Sequence, residues 1–121
     1  EQLIGNDFIK DLSGISKLNA YKDDENVLEA LREIKLKKKE QLADYIRETL
    51  AISVNPHSIF DVQVKRLHEY KRQLLNALHI VYLYHEIKYS GLRPTPRTFI
   101  FAAKASSGYQ MAKNIIILIK K

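Results

Sequence analysis

The chain of 121 residues has the length of one ordinary domain, and its hydrophobic fraction of 45% excludes a compositionally disordered protein. Cysteine is absent, which excludes disulfides, zinc-finger spacings and a thiol nucleophile, and fits a reducing compartment. The net charge of +6 suits either nucleic acid or phosphate ligands. The sequence does not open with a basic region and an apolar run, and no apolar stretch reaches the roughly 18 residues of a membrane span. We therefore expect neither a signal peptide nor a membrane helix.

The first half of the sequence predicts helices. Asp7 is a candidate N-cap for a short helix with four apolar residues on one side: Phe8, Ile9, Leu12 and Ile15. The acidic run Asp23–Glu25 then marks the start of a second helix, where the macrodipole favours negative charge. Apolar residues follow at helical spacing from Val27 to Leu50. The basic run Lys35–Lys39 would wrap around several faces of this helix, so we interpret it as a solvated surface.

A break at residues 54–58 separates the two halves. Pro56 cannot continue a helix, and it biases Asn55 towards an extended conformation. We therefore predict a helical segment over residues 1–57 and a different organisation over residues 58–121.

The second half predicts two strand–helix units. Residues Ile59–Val64 are rich in β-branched residues and alternate in part, which indicates a strand, and a helix is expected from about His68 to Lys88. After a loop marked by glycine and prolines, a second strand is expected at Thr98–Ala103. Residues Ser106–Gly108 offer a turn and a candidate cap for a last apolar helix that includes Met111–Ile119.

This order of elements predicts an α/β fold with a parallel sheet and right-handed crossovers. Two strands make a poor sheet by themselves, so we expect an incomplete domain. The chain also does not begin with Met, and it stops at Lys121 inside an apolar run without a helix stop signal. Both features favour an internal fragment of a longer protein.

A cluster of cations lies where the first strand of the second half ends and its helix begins. The cluster comprises four residues: Lys65, Arg66, Lys71 and Arg72. Ligands of open α/β sheets gather at the carboxyl ends of strands, and a helix N-terminus offers unpaired N–H groups. The sequence therefore predicts an anion site, with phosphate as its ligand, although no glycine-rich loop is present. On charge alone, a basic helix start that lies in solvent is the favoured alternative.

The segment Phe60–Asn76, FDVQVKRLHEYKRQLLN, closely resembles the opening of the C-terminal domain of the α-glucan phosphorylases, the glycogen and maltodextrin phosphorylases. A second block resembles the same family at the same spacing: Pro96-Arg97-Thr98, Lys104-Ala105, Gly108-Tyr109 and Met111-Ala112-Lys113. The first half resembles the segment that leads into this domain, in Ile4-Gly5 and Asp11-Leu12.

The resemblance implies a parent enzyme with a two-domain (GT-B) architecture and a Rossmann-like C-terminal domain, of which residues 58–121 would be the first two strand–helix units. Such enzymes cleave a terminal α-1,4-glucosidic bond of a glucan with inorganic phosphate and release glucose 1-phosphate with retention. They carry pyridoxal phosphate as a Schiff base, and its 5′-phosphate exchanges a proton with the substrate phosphate. A cytoplasmic homodimer is the implied state of the parent.

The resemblance also assigns roles to residues of the first motif. Lys65 and Lys71 would neighbour the cofactor phosphate, while Arg66 and Lys71 would hold the substrate phosphate, with Tyr70 close by. These assignments agree with electrostatics, because two phosphates approach each other only when fixed cations offset their repulsion. No metal is implied.

The chain departs from the family pattern at two places, and the Schiff-base segment of the family lies well beyond the part that this chain resembles. Alanines stand at Ala102-Ala103, where the family usually has two glycines, and Ser106-Ser107 replaces the usual Ala-Pro. The Schiff-base lysine lies in a glycine-rich segment ending Asn-Met-Lys in the family, and no such segment occurs in these 121 residues. We therefore expect the fragment alone to be catalytically inactive. Its unpaired sheet edges and uncovered apolar faces predict self-association.

Two other kinds of site are weaker alternatives. The four histidines form no metal pattern, since His79 and His85 do not share a helix face. A basic nucleic-acid-binding module is the runner-up function, because seven tyrosines accompany the cations. Tyr82, Tyr84 and Tyr89 lie on or beside a helix that we expect to be amphipathic, where packing is the favoured role for them. We therefore expect neither nucleic acid nor a membrane among the partners.

Overall fold

The computed structural model describes residues 1–121, and the chain divides into two compact units, Glu1–Ser53 and Val54–Lys121. The first unit contains two 3-10 helices and one long α-helix: Asp7–Ile9, Leu12–Tyr21 and α1, Glu25–Leu50. The second unit contains two strands, two α-helices and a short 3-10 turn: β1 (Ile59–Val64), the turn Glu69–Lys71, α2 (Gln73–Tyr89), β2 (Arg97–Ala102) and α3 (Gln110–Ile119). A helical first half followed by two strand–helix units is thereby confirmed.

Helix α1 begins at the acidic run that the sequence indicated. The side chain of Asp24 accepts hydrogen bonds from the backbone N–H groups of Asn26 at 3.0 Å and Val27 at 3.3 Å, which is the geometry of an N-cap. The helix ends at Leu50, and the capping residue Ala51 adopts a left-handed conformation with φ of 56° and donates its N–H to the carbonyl of Arg47. Alanine in this conformation is strained relative to glycine, which carries no Cβ.

The expected N-cap at Asp7 is wrong, because Asp7 lies inside the first 3-10 helix. The capping carboxylate of this region is Asp11, which accepts the N–H of Ser13 at 3.0 Å, and hydrogen bonds from Ser13 lower the pKa of Asp11. The chain forms two short 3-10 helices instead of one α-helix. Two features favour this outcome: the local Asp11–Ser13 turn competes with α-helical bonding, and Gly14 has a low helix propensity.

The sheet is parallel, as the order of elements predicted. Strand β1 pairs with β2 in a register that runs from Ile59 opposite Arg97 to Val64 opposite Ala102. At the amino ends of the strands, the buried Ser58 hydroxyl lies 2.6 Å from Thr98 Oγ1. At the carboxyl ends, Leu67 belongs to a small core whose other buried members are Ala112 and Ile115 of α3. The core therefore fixes α3 beneath the loop that follows β1.

Apolar residues are spread over all faces of helix α2 and do not form one apolar side, so the expected amphipathic pattern is wrong. Leu75, Tyr82 and Tyr84 are about 60% exposed (60%, 58% and 62%), and Tyr89 is also exposed. The packing role that we expected for these tyrosines is not observed within the 121 residues. A helix with apolar residues on every side buries more than one side in a larger core, which is consistent with part of a domain. None of the helices has both the length and the apolar character required to cross a membrane.

The cap at Asp24 can be tested against its acidic neighbour Asp23, which only approaches Lys22 at 3.9 Å with both side chains exposed. We expect Asp24→Ala to lower the free energy of unfolding by about 1 kcal/mol, because two N–H groups lose their acceptor. The control Asp23→Ala should change it by less than about 0.5 kcal/mol. Urea unfolding followed by far-UV circular dichroism measures both, and equal effects would contradict the assignment of the cap.

Candidate phosphate-binding site

The backbone between β1 and α2 forms a compact turn at the carboxyl edge of the sheet. After Val64 the chain passes through a short 3-10 turn, and Arg72 then adopts a left-handed conformation with φ of 61°. This residue separates the 3-10 turn from α2, so the helix that we expected from about His68 begins at Gln73 instead. A non-glycine residue in this conformation is held there by its surroundings at some cost in strain.

A cleft of about 500 Å³ opens beside this turn. It is bordered by residues from the loops that follow both strands: Arg66, Leu67, His68, Tyr70, Lys71, Lys104, Ala105, Ser106 and Tyr109. Three of the four predicted site residues, Arg66, Tyr70 and Lys71, thus lie around one cavity. Arg72 and Gln73 do not border it, so the expected contribution of the α2 N-terminus to the anion site is not observed.

The fourth predicted residue, Lys65, lies in an adjoining groove. This groove is lined by Val64, Lys65, Arg66, Ala102, Ala103 and Lys104, so Arg66 and Lys104 border both depressions. Lys65 lines only the groove, whereas its neighbour Arg66 lines both the groove and the cleft. The two alanines that replace the family glycines have no positive φ, so they cause no backbone strain here.

Hydrogen bonds tie the two loops of the cleft together. The N–H of Leu67 donates to the carbonyl of Lys104 at 3.1 Å, and the N–H of Glu69 donates to the Tyr109 hydroxyl at 3.4 Å. The His68 ring lies between two tyrosines, with centroids 4.4 Å from Tyr70 and 5.3 Å from Tyr109. The cleft is therefore braced by contacts between the two loops.

The cations of the cleft have no carboxylate partners. Ion pairs occur elsewhere, such as Arg97 with Asp61 at 3.7 Å, and none involves Lys65, Arg66, Lys71 or Lys104. Lys71 Nζ instead donates to the carbonyl of Arg66 at 3.1 Å. Cations held close together without compensation repel one another, and a bound anion would remove this repulsion. No group of three or more His, Cys, Asp or Glu side chains could hold a metal ion.

Lys104 is a site residue that the sequence reasoning did not select. The register places Val64 opposite Ala102, so Arg66 and Lys104 lie two residues beyond the same rung of the sheet. Because both cations follow their strand by two residues, the sequence alone could have predicted that Lys104 lies beside Arg66. His68 and Tyr109 were also left out of the predicted site, and only the contacts between the loops bring them to the cleft.

Comparison with known proteins identifies the family. A family model described as carbohydrate phosphorylase matches residues 1–121. The chain belongs to the carbohydrate phosphorylase family. Its sequence is 52% identical over 119 residues to the glycogen phosphorylase of Bacillus subtilis, which covers 98% of this chain and 15% of that protein.

Animal phosphorylases are similar over the same part of the chain. Identity over 117 residues is 48% with the muscle form of mouse (Mus musculus) glycogen phosphorylase and 45% with the human (Homo sapiens) liver form, in each case over 96% of this chain. The chain spans 14% of the length of these two relatives. This carbohydrate phosphorylase segment therefore corresponds to a small part of the proteins that it matches.

The contribution of Lys104 to anion binding can be measured in the full-length phosphorylase that carries this segment. We expect Lys104→Ala to weaken the binding of inorganic phosphate by about tenfold or more, because a charge-assisted hydrogen bond contributes roughly 1.5–3 kcal/mol. Lys113→Ala is the matched control, since Lys113 is an exposed lysine of α3 outside the cleft. Isothermal titration calorimetry gives both affinities, and an unchanged affinity in Lys104→Ala would remove this residue from the site.

Proposed function

We propose that this segment supplies part of the phosphate site of an α-glucan phosphorylase. The parent enzyme transfers a terminal α-1,4-linked glucosyl unit to inorganic phosphate and forms glucose 1-phosphate with retention at the anomeric carbon. The observation that carries the proposal is the cleft at the carboxyl ends of β1 and β2, whose cations Arg66, Lys71 and Lys104 have no carboxylate partner. The names of the relatives, glycogen phosphorylases, support the same activity.

The two adjoining depressions suit two phosphate groups that lie side by side. In the main cleft, Arg66 offers a planar pair of donors and Lys71 a point charge to the substrate phosphate, with Tyr70 beside them. From the groove, Lys65 acts together with Lys71 on the phosphate of the cofactor. Arg66 and Lys104 border both depressions, so their charges reduce the repulsion between the two anions.

The cofactor of the parent enzyme in this proposal is pyridoxal phosphate, and a site rich in cations and poor in carboxylates fits its phosphate group. When bound, the cofactor supplies a 5′-phosphate as the partner for proton exchange with the substrate phosphate. The residues of this chain bind and orient the anions, and hold the developing negative charge by electrostatic attraction. The lysine that forms the Schiff base in the family has no counterpart among these residues.

Several properties follow for the parent and for the isolated chain. In the parent, residues 1–57 lead into the C-terminal domain and residues 58–121 form its first two strand–helix units. The parent is a cytoplasmic homodimer. Cell fractionation of the activity tests the location, and analytical ultracentrifugation tests the dimer. The 121-residue chain alone is inactive and self-associates, because its two-stranded sheet leaves both outer edges open. A monomer in light scattering at high concentration would contradict the self-association.

Phosphorolysis by the parent enzyme is the direct test of the proposal. We expect the parent to form glucose 1-phosphate from maltodextrin and phosphate. Arg66→Ala and Lys71→Ala should each lower kcat/KM by about 100-fold or more, because each substitution removes a hydrogen-bond donor that stabilises the developing negative charge. Arg93→Ala is the control, since Arg93 is an exposed arginine outside both depressions. The isolated chain should give no product.

Two outcomes would overturn the proposal. The first is a parent that releases no glucose 1-phosphate, and the second is an Arg66→Ala variant as active as Arg93→Ala. The alternative function, nucleic-acid binding, predicts that the parent is retained on DNA or RNA in a manner that weakens with salt. Lys88 Nζ lies 5.5 Å from the ring centroid of Tyr84 and 5.1 Å from that of Tyr89 on an exposed surface of α2. Nucleic-acid binding would be sought on this surface.

A further inference from the structure

Two glutamine side chains hold the backbone of the two residues that we assign to the substrate phosphate. Gln63 Nε2, from β1, donates to the carbonyl of Lys71 at 3.1 Å. Gln73 Nε2, from the first residue of α2, donates to the carbonyl of Arg66 at 3.4 Å. Each anion-binding residue is therefore attached by its own carbonyl to an element of regular structure.

The contacts of Gln63 connect three elements. Its Oε1 accepts a hydrogen bond from Asn76 Nδ2 at 3.0 Å, so the amide bridges β1, the 3-10 turn and α2. The backbone of Asn76 also contacts this turn, since its N–H donates to the carbonyl of Arg72 at 3.1 Å. These bonds lie on both sides of Arg72, the residue with the left-handed conformation.

Gln73 is buried at a cost to stability. Its side chain is only 1% exposed, and its Oε1 has no hydrogen-bond partner. An apolar side chain of similar length would avoid the burial of an unsatisfied acceptor, so the fold alone does not favour an amide at this position. The one hydrogen bond that the amide makes is to the carbonyl of Arg66, which also accepts from Lys71 Nζ at 3.1 Å.

We infer that Gln63 and Gln73 are positioning residues that fix the separation of Arg66 and Lys71 and thereby set the affinity of the cleft for phosphate. This inference rests on the proposed function for its substrate, phosphate, and extends it to residues that do not border the cleft. Neither glutamine lines the cleft, so neither would contact a phosphate bound there. Both act through the backbone of the residues that do, in the manner of supporting residues around a preorganised site.

The test uses the full-length enzyme with Gln73→Met, Gln63→Met and the control Gln41→Met, whose residue is exposed on α1. We expect the first two variants to raise KM for phosphate by about tenfold, below the roughly 100-fold that a misplacement of 1 Å can cost. Their KM for maltodextrin should not change, and the midpoint of thermal unfolding of Gln73→Met should equal or exceed that of the wild type. Gln41→Met should match the wild type throughout.

The readouts separate positioning from a purely structural role. If Gln73→Met lowers the unfolding midpoint and leaves KM for phosphate unchanged, the positioning role is wrong. Direct titration of inorganic phosphate keeps the inference testable if the parent shows no phosphorolysis. In that case the proposed function fails, while a tenfold weaker affinity of Gln73→Met for phosphate would still support positioning, and an unchanged affinity would overturn it.

Discussion

The parallel pairing of β1 and β2 is the constraint on which the candidate site depends. Parallel strands end at the same edge of a sheet, so the loops that follow them are neighbours although far apart in sequence. Here the register places Val64 opposite Ala102, and the hydrogen bond from Leu67 to Lys104 continues the contact beyond the strands. An antiparallel pair would have sent the two basic loops to opposite ends of the sheet.

Electrostatics gives this edge its chemical character. Four cations border the two depressions, and no carboxylate forms an ion pair with any of them. The chain tolerates the repulsion because the side chains reach solvent, where a high dielectric constant weakens it. The same exposure leaves the donors available to an anion. The amides of Gln63 and Gln73 supply the rigidity that flexible lysine and arginine side chains lack, so charge and geometry come from different residues.

Much of the fold could be predicted from local patterns. The β-branched run of β1, the acidic start of α1 and the break at Pro56 each have a strong local cause, and all three appear in the structure. The α/β class and the parallel sheet followed from the order of elements. Arg66, Tyr70 and Lys71, which the motif selected, lie around one cavity, and their roles stay predictions.

The remaining features depend on contacts that no local pattern encodes. Arginine has no preference for a left-handed conformation, so the late start of α2 after Arg72 was not predictable. Asp7 and Asp11 are equivalent as capping residues in the sequence, and only the turn to Ser13 selects the second. Lys104 could have been selected only by comparing the two strand ends.

A crystal structure of the full-length phosphorylase grown in phosphate tests the central claim most directly. The central claim is that the cations at the carboxyl edge of the sheet form no ion pairs with carboxylates and bind phosphate instead. We expect a phosphate ion within hydrogen-bond distance of the Arg66 guanidinium and of Lys71 Nζ, with no carboxylate from the rest of the enzyme in that position. Ion pairs of Arg66 and Lys71 with acidic side chains of the parent, and no phosphate between them, would contradict the account.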